Sequence, residues 1–219
     1  MSVVTIERKV LEKNDAIATA NREAFARRRL FVLNVVSSPG AGKTTLLEAT
    51  IARLRDRVRI GVIEGDVQTD LDAQRVASYG VPVVQIVTNG ACHLEAGLVA
   101  EALDRLPLDT IDVLIIENVG NLVCPAGHDL GEAMKVAVLS TTEGEDKPLK
   151  YPAMFRRASV LIINKIDLLP YVNVDLAVMR RHALEVNPGL IVFETAATTG
   201  AGLTDWCDWL TGQVAGVHA

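Results

Sequence analysis

The sequence has no excess of positive charge. Its 22 lysines and arginines are outnumbered by 27 aspartates and glutamates, which gives a net charge of -5 and a pI near 5.4. Nucleic acids and anionic membrane surfaces bind basic stripes, so we expect neither of them as a partner. Protein partners or small ligands are the expected alternatives.

The chain also lacks a long apolar run. No segment approaches the roughly 18 consecutive apolar residues that suggest a membrane span. The first residues, MSVVTIERKVLEKNDAIATA, carry charges where a signal peptide requires an apolar core. We therefore expect a cytoplasmic protein, and 219 residues with 49% hydrophobic content predict one well-buried domain.

Cysteine and histidine are scarce, with three and four residues. An odd number of cysteines in a reducing compartment argues against a disulfide framework and leaves the thiols available for metal or redox chemistry.

Short β-branched runs alternate with stretches that have the apolar spacing of helices. The runs are LFVLNVV, VRIGVIEGD, VVQIV, IDVLIIEN, MKVAVLS, SVLIINK and LIVFET. The predicted helices cover residues 44–56, 69–79, 92–105, 173–186 and 203–214. This alternation predicts an α/β fold with a mostly parallel central sheet and helices on both faces.

Two further segments flank or interrupt this pattern. Residues 5–29 predict an amphipathic helix, so we divide the chain into an N-terminal helix, residues 1–29, that packs on a main domain of residues 30–219. Residues 141–152, TTEGEDKPLKYP, predict a polar loop between two strands. A loop of this length is often functional or mobile.

The stretch SSPGAGKTT lies between the first strand and a helix, which is the context of a phosphate-binding loop and predicts a P-loop NTPase. Ser37 replaces the first glycine of the usual GxxxxGKS/T pattern. Lys43 would reach the β and γ phosphates, and the Thr44 hydroxyl would bind Mg²⁺. An ordinary strand-to-helix turn is the alternative. The predicted nucleotide-binding residues of this loop are Gly40, Ala41, Gly42, Lys43, Thr44 and Thr45.

The motif NKID at residues 164–167 follows another apolar strand, and here the chain resembles the P-loop GTPases. The resemblance implies that Asn164 contacts the O6/N7 edge of guanine, that Lys165 lies against the base and that Asp167 accepts from N1 and N2. It also implies a contact from the Ala196 backbone N–H to O6. We therefore expect GTP and GDP as ligands.

Two carboxylates fit the same family. Asp66 would hold Mg²⁺ or order the attacking water, and Glu117 lies where the family has its metal-side acid. Together with Lys43 they are the predicted catalytic residues, and Thr44, Asp66 and Glu117 are the predicted Mg²⁺ ligands. Asn121 follows the DxxG-like sequence ENVG and is too short to orient water as glutamine does in Ras-like members. We expect slow intrinsic hydrolysis.

Cys92 and His93 are adjacent, and Cys124 follows Gly120 by four residues inside the predicted second switch region. Thiolates and an imidazole suit Ni²⁺ or Zn²⁺. Three ligands leave a closed site incomplete, so a homodimer would pool ligands from both chains across its axis. Inert apolar thiols are the alternative.

The other candidate ligands receive different predictions. His128 is either an extra ligand or a polar loop residue, and we predict the latter. Cys207 is predicted to pack in the core, and His182 and His218 are predicted to lie on the surface.

Taken together, the motifs resemble the hydrogenase maturation GTPase family HypB, of the SIMIBI type, over nearly the full chain. The motifs that carry this resemblance are SSPGAGKTTLLE, EGDVQTDLDAQR, ACHLE, ENVGNLVCPAG, EGEDKPLKYP and NKIDLLP. It implies a metal site of Cys92, His93 and Cys124, GTP-dependent dimerisation, work with the metallochaperone HypA, and nickel delivery to a hydrogenase large subunit. The Cys-rich or His-rich N-terminal motifs of some members are absent here.

Three other functions stay open. A UreG-type urease accessory GTPase would carry a Cys-Pro-His triplet, whereas Cys92-His93 and Cys124-Pro125 are separate here. A small-molecule P-loop kinase would leave NKID unexplained. A switch protein without metal would recruit effectors through its GTP state alone.

Overall fold

The computed structural model describes residues 6–68 and 71–218. In this part of the chain the predicted apolar runs form seven strands. They are β1 (Phe31–Ser37), β2 (Ile60–Asp66), β3 (Val83–Val87), β4 (Val113–Glu117), β5 (Met134–Ser140), β6 (Val160–Asn164) and β7 (Ile191–Glu194). All their pairings are parallel, which confirms and extends the predicted mostly parallel sheet.

The sheet order is β3-β2-β4-β1-β5-β6-β7, so β1 lies between β4 and β5. The chain moves from β1 to one side of the sheet and later returns to the other side of β1. Such a reversal opens a crevice beyond the carboxyl ends of the strands, where α/β folds bind ligands. The loops after β1, β2 and β4 therefore meet at one edge.

The central strands are buried on both faces, which explains their continuous apolar sequences. Successive residues of β1 point to opposite faces, so Leu33 and Val35 belong to one hydrophobic cluster and Val32 to another. The helices cover both faces, as the sequence predicted. They are α1 (Ile6–Arg27), α2 (Lys43–Leu54), α3 (Leu71–Ala77), α4 (Ala96–Leu103), α5 (Lys147–Lys150), α6 (Pro152–Arg157), α7 (Leu176–Val186) and α8 (Leu203–His218).

Helix α1 packs on α4 and buries Ala18 and Phe25. Its asparagines fix it in place: Asn14 Nδ2 donates to the Asp129 carbonyl at 2.8 Å, and Asn21 Nδ2 donates to the carbonyls of Ala96 and Leu130. The division of the chain at residue 29 stays a prediction. No helix within the described ranges has the length and apolarity that crossing a bilayer requires.

One predicted helix begins later than expected. Residues 92–105 were predicted as one helix, but α4 starts at Ala96. The preceding turn contains Asn89 and Gly90 at positive φ, and the first free N–H of α4, that of Ala96, donates to Asn14 Oδ1 at 2.9 Å. A cap supplied by α1 ends the turn, so Cys92 and His93 lie in a loop before the helix.

Residues 141–152 are also more ordered than the predicted polar loop. Thr141–Glu143 form a 3-10 helix with a capping box, in which Ser140 and Glu143 bond each other's backbone N–H groups. Helix α5 follows immediately, and α6 begins at Pro152. The capping box gives hydrogen-bond partners to the backbone N–H groups at the start of the 3-10 helix. This explains why the segment is helical and not the predicted loop.

Candidate nucleotide and metal site

The phosphate loop connects β1 to α2 with the backbone path that the motif predicts. Gly40 and Gly42 have φ values of 76° and 92°, the left-handed region that glycine adopts without strain. A Cβ atom on Gly42 would lie 2.7 Å from Asn164 Nδ2. The loop and the NKID segment therefore approach each other as closely as a glycine permits.

The structure explains why Ser37 can stand where the usual phosphate-loop motif has its first glycine. Ser37 is buried at the end of β1, and its hydroxyl oxygen accepts a hydrogen bond from Lys43 Nζ at 3.1 Å while it donates to the Ser38 carbonyl. Lys43 Nζ also lies 3.9 Å from Glu117 Oε1. A serine at this position thus helps hold the lysine over the loop.

The predicted carboxylates line the same cavity, of about 520 Å³, as the phosphate loop. Thr44 Oγ1 donates to Glu117 Oε1 at 2.8 Å, and Asp66 Oδ1 accepts from the Gln68 N–H. The structure therefore brings Lys43, Thr44, Asp66 and Glu117 together.

Sequence reasoning missed a further acid, Glu64, in this cavity. Glu64 pairs with Glu117 in the parallel register of β2 and β4, which places both side chains on the same face. Burial raises the pKa of Glu64 to about 11, and the neighbouring Glu117 carboxylate adds to the effect. Burial also raises the pKa of Glu117, against the attraction of Lys43. The spacing of Glu64 and Asp66 on one strand was the available signal.

The NKID segment reaches this cavity through Lys165 and lines a smaller cavity beside it. Asn164 Nδ2 donates to the Ala41 carbonyl at 3.1 Å, which leaves the second of its two amide hydrogens for a ligand. Lys165 Nζ donates to the Gly40 carbonyl at 2.7 Å. Asp167 lines a smaller adjoining cavity of about 240 Å³.

The backbone contact predicted from Ala196 differs in the structure. The Ala196 N–H donates to the Ala201 carbonyl at 2.9 Å, so it is not available to a base. Ala197 lines the adjoining cavity instead, and its N–H donates to Asn164 Oδ1 at 3.2 Å. The tight bridge between Ala196 and Ala201 is a local turn that the sequence pattern did not reveal.

The structure brings Cys92, His93 and Cys124 together. Their potential ligand atoms all lie within 4.8 Å of one another, and all three side chains are half-buried. The hydrogen bond with Cys124 and burial raise the pKa of the Cys92 thiol. Burial and the nearby His128 ring lower the pKa of His93, which keeps its imidazole neutral and able to bind a cation.

The remaining candidates occupy distinct places. His128 lies in a loop, as predicted, and is not one of the clustered ligands; its ring is tilted by 35° against the His93 ring with centroids 3.8 Å apart, and its Nδ1 lies 2.9 Å from the Cys124 carbonyl oxygen. Cys207 is buried in the core, as predicted. His182 is half-buried beside the Glu145 carbonyl rather than on the surface, whereas His218 is exposed.

The family model described as "CobW/HypB/UreG, nucleotide-binding domain" matches residues 31–194. The hydrogenase maturation factor HypB of Escherichia coli K12 is 54% identical over 211 residues, which are 96% of this chain and 73% of that protein. The chain belongs to the HypB branch of this family. In the described part of the chain, the phosphate loop follows β1, and Cys92, His93 and Cys124 lie on the loops that follow β3 and β4 of the same parallel sheet.

Solved HypB structures share the fold. The crystal structure of HypB from Archaeoglobus fulgidus has a TM-score of 0.87 and 38% identity, and the match covers 93% of this chain and 99% of that one. The structure of HypB from Helicobacter pylori in complex with nickel has a TM-score of 0.88 and 41% identity, covering 92% and 95%. These matches confirm the predicted P-loop fold of this HypB-family chain.

Replacing Glu64 with glutamine should stabilise the nucleotide-free HypB-family chain. The folded pKa of about 11 exceeds the ordinary value of 4.5, so between these values the folded state holds a proton that the unfolded state has lost. Stability of the parent chain therefore falls as pH rises through this window, and glutamine removes that loss. We expect a melting temperature higher by at least roughly 2–4 °C at pH 8, the shift that about 1 kcal/mol produces at this length.

Thermal unfolding at pH 6, 7, 8 and 9 measures this effect, and the gain should grow with pH. Glu101→Gln, on the exposed face of α4, is the matched control and should show no such trend. A Glu64→Gln chain that is no more stable than its parent at any pH would contradict a protonated Glu64.

Proposed function

We propose that this chain is a GTP-hydrolysing metallochaperone that delivers nickel during [NiFe] hydrogenase maturation. The observation that carries the proposal is the convergence of Cys92, His93 and Cys124, from two separate loops, within 4.8 Å. Cys124 belongs to the loop that leaves the nucleotide site at Glu117. A cation bound to this cluster would thus be held partly by a segment that begins beside the γ-phosphate.

The reaction is the hydrolysis of GTP by water to GDP and phosphate. Lys43 would bind the β and γ phosphates, and Asp66 would order the attacking water. Mg²⁺, which neutralises the phosphate charge when bound, would be held by Thr44 and Glu117, with Asp66 close by. The oxygen donors fit this ion, because the second carboxylate oxygen of Glu117 is buried with no hydrogen-bond partner among the described residues.

Hydrolysis should be slow without a partner. Asn121 follows the ENVG segment, and its Oδ1 accepts from the Val123 N–H at 2.7 Å, which turns the side chain back onto its own loop. It is therefore poorly placed to orient water. A turnover on the order of 1–100 per second, typical of kinases, would contradict this part of the proposal.

Guanine specificity is supported by Asn164 and Asp167, which line the small cavity beside the phosphate loop. A carboxylate facing the N1 and N2 donors accepts two hydrogen bonds that adenine cannot supply. Lys165, held over Gly40, would lie against the base plane.

A homodimer would complete the metal site. Three donors leave room for ligands from a second chain, and two apolar side chains are strongly exposed: Val123, next to Cys124, and Leu71, at the start of α3. Thiolates and imidazole suit both Ni²⁺ and Zn²⁺, and square-planar or tetrahedral geometry would tell them apart. The crystallised relative from Helicobacter pylori, in complex with nickel, favours nickel.

The proposed partners follow from the family. They are a HypA-type metallochaperone and a hydrogenase large subunit, in the cytoplasm. The relative from Helicobacter pylori is a hydrogenase/urease maturation factor, 42% identical over 94% of this chain, so a urease is the alternative client.

Metal analysis against nucleotide state and protein concentration tests the proposal. We expect about one nickel per pair of chains with a nonhydrolysable GTP analogue, and a change in affinity with GDP. Gel filtration in the same samples should show dimers that depend on the analogue. Dimers without bound nickel would instead support a switch protein that carries no metal.

A further inference from the structure

Four buried polar side chains form a continuous series of two hydrogen bonds and one ion pair inside the core, which we call the polar chain: Asn118, Asn34, Glu132 and Lys135. Asn118 Nδ2 donates to Asn34 Oδ1 at 3.2 Å, and Asn34 Nδ2 donates to Glu132 Oε1 at 3.1 Å. Lys135 Nζ lies 3.5 Å from the same oxygen of Glu132. All four side chains are at least nine-tenths buried.

The first end of the polar chain lies between the nucleotide site and the first metal loop. Asn118 directly follows Glu117, which contacts Lys43 and Thr44. Its Oδ1 accepts from the N–H of Leu94, the residue after His93, at 3.0 Å. One side chain thus connects the carboxyl end of β4 to the Cys92-His93 loop.

The other end of the polar chain holds the second metal loop. Lys135 Nζ donates to the carbonyls of Pro125 and His128, both at 3.0 Å. Pro125 lies within the 3-10 turn Cys124–Ala126, and His128 follows that turn by two residues. Both loops that carry the candidate metal ligands are therefore anchored to a single buried series of polar contacts.

The same series adjoins the segment that meets the phosphate loop. Asn118 Oδ1 also accepts from the Val119 N–H, and a Cβ atom on Gly120 would lie 3.1 Å from Pro39 Cα in the phosphate loop. If residues 119–120 move when the nucleotide changes, the hydrogen bond from the Val119 N–H would therefore displace the Asn118 side chain. Buried polar groups have no water to replace lost partners, so such a movement has to pass along the series or break it at a high cost.

We infer that Asn118, Asn34, Glu132 and Lys135 are positioning residues that transmit the nucleotide state to the Cys92, His93 and Cys124 cluster. The inference rests on the proposed function and deepens it, because it names the connection between the two sites. The polar chain would shift the Cys92-His93 loop and the Cys124 loop together, which changes the distances among three donors in one step.

A purely structural role is the competing explanation, and the chain offers a control for it. Asn14 of α1 links the same two loops from outside: it accepts from the Ala96 N–H and donates to the Asp129 carbonyl. None of its described hydrogen bonds involves the polar chain. Asn14→Ala should therefore weaken the metal loops equally in every nucleotide state.

The experiment uses the full chain and the variants Lys135→Met, Glu132→Gln and Asn14→Ala. The nickel dissociation constant is measured with GDP and with a nonhydrolysable GTP analogue, and the ratio of the two is the coupling factor. We expect a ratio of at least about 5 in the parent, the lower end of common allosteric coupling. The ratio should fall to within about twofold of unity in Lys135→Met and in Glu132→Gln, and Asn14→Ala should keep the parental ratio.

A second readout needs no metal. Amide hydrogen exchange of residues 122–130 should differ between the two nucleotide states by at least about fivefold in the metal-free parent and should be insensitive to nucleotide in Lys135→Met. Guanine nucleotide affinity serves as the folding control. If Lys135→Met does not fold, Glu132→Gln decides, because glutamine keeps one acceptor but removes the charge facing Lys135.

The outcomes separate the two proposals. Folded Lys135→Met and Glu132→Gln chains that keep the parental ratio would overturn the inference and leave the proposed function intact. A parental ratio of unity would overturn nucleotide-gated nickel delivery, and the inference with it.

Discussion

The Gly42→Ala chain is expected to bind GTP at least about 100-fold more weakly than its parent. The left-handed backbone at φ 92° alone costs alanine about 1–2 kcal/mol, a factor of roughly 5–30. The added methyl group would also lie 2.7 Å from Asn164 Nδ2. Relief of this clash has to separate the phosphate loop from the NKID segment, which moves the backbone N–H groups away from the phosphates.

Gly40→Ala is the matched control for this loss. Gly40 also has a positive φ, 76°, but a Cβ atom there meets no atom within 4 Å. Only the backbone cost applies, so we expect at most a roughly 5–30-fold loss. Titration with a fluorescent guanine nucleotide measures both variants. Equal losses in the two chains would show that the close approach to Asn164 has no effect on binding.

The Cys124→Ala chain is expected to lose nickel while it still binds GTP. The substitution removes one of three converging donors per chain, and in a symmetric dimer it removes two from one site. We expect nickel affinity to fall at least about 100-fold, beyond the roughly 10–100-fold typical of losing an outer hydrogen-bond partner. GTP affinity should change by less than about twofold, because Cys124 does not line the nucleotide cavity.

Cys207→Ala is the control for the loss of a thiol. Cys207 lies on the buried face of α8, and burial raises its pKa to about 11, so it is a poor ligand. That chain should bind nickel as the parent does, although the cavity left by the sulfur lowers its stability. Metal analysis and nickel titration compare the variants. An unchanged nickel stoichiometry in Cys124→Ala would refute the metal site.

The sequence was sufficient to place the strands and the main binding loops. A short, continuous apolar run is typical of a strand in a sheet that is covered on both faces. The apolar runs of the sequence therefore predicted β1, β4 and β6 directly. The conformation of the GKT and NKID segments depends mainly on residues close to them in sequence. The structure places both segments at the carboxyl ends of the parallel strands. The joint metal site of Cys92, His93 and Cys124 was predicted from their ligand chemistry and from the resemblance to HypB, although more than 30 positions separate Cys92 from Cys124.

Features that depend on distant partners were missed. Glu64 lies in an apolar strand, where its spacing from Asp66 was a weak signal, and its register with Glu117 shows that these two acids share one cavity. The start of α4 depends on Asn14, 82 residues earlier in the chain. The polar chain joins Asn118, in the ENVG segment, to Asn34 and Glu132, which belong to no recognised motif. Pairings of this kind become visible only when the sheet order is known.

The asparagines of α1 determine where the protein tolerates labels and truncation. Deleting the first 21 residues would remove both amides and leave four backbone groups of Ala96, Asp129 and Leu130 without their partners. Water can reach these groups once the helix is gone, so each lost hydrogen bond costs its net contribution of about 0.5–1.5 kcal/mol. Affinity handles and fluorophores therefore belong on the exposed last turn of α8. Trimming the first helix to aid crystallisation would weaken the anchoring of the loops that carry Cys92, His93 and Cys124.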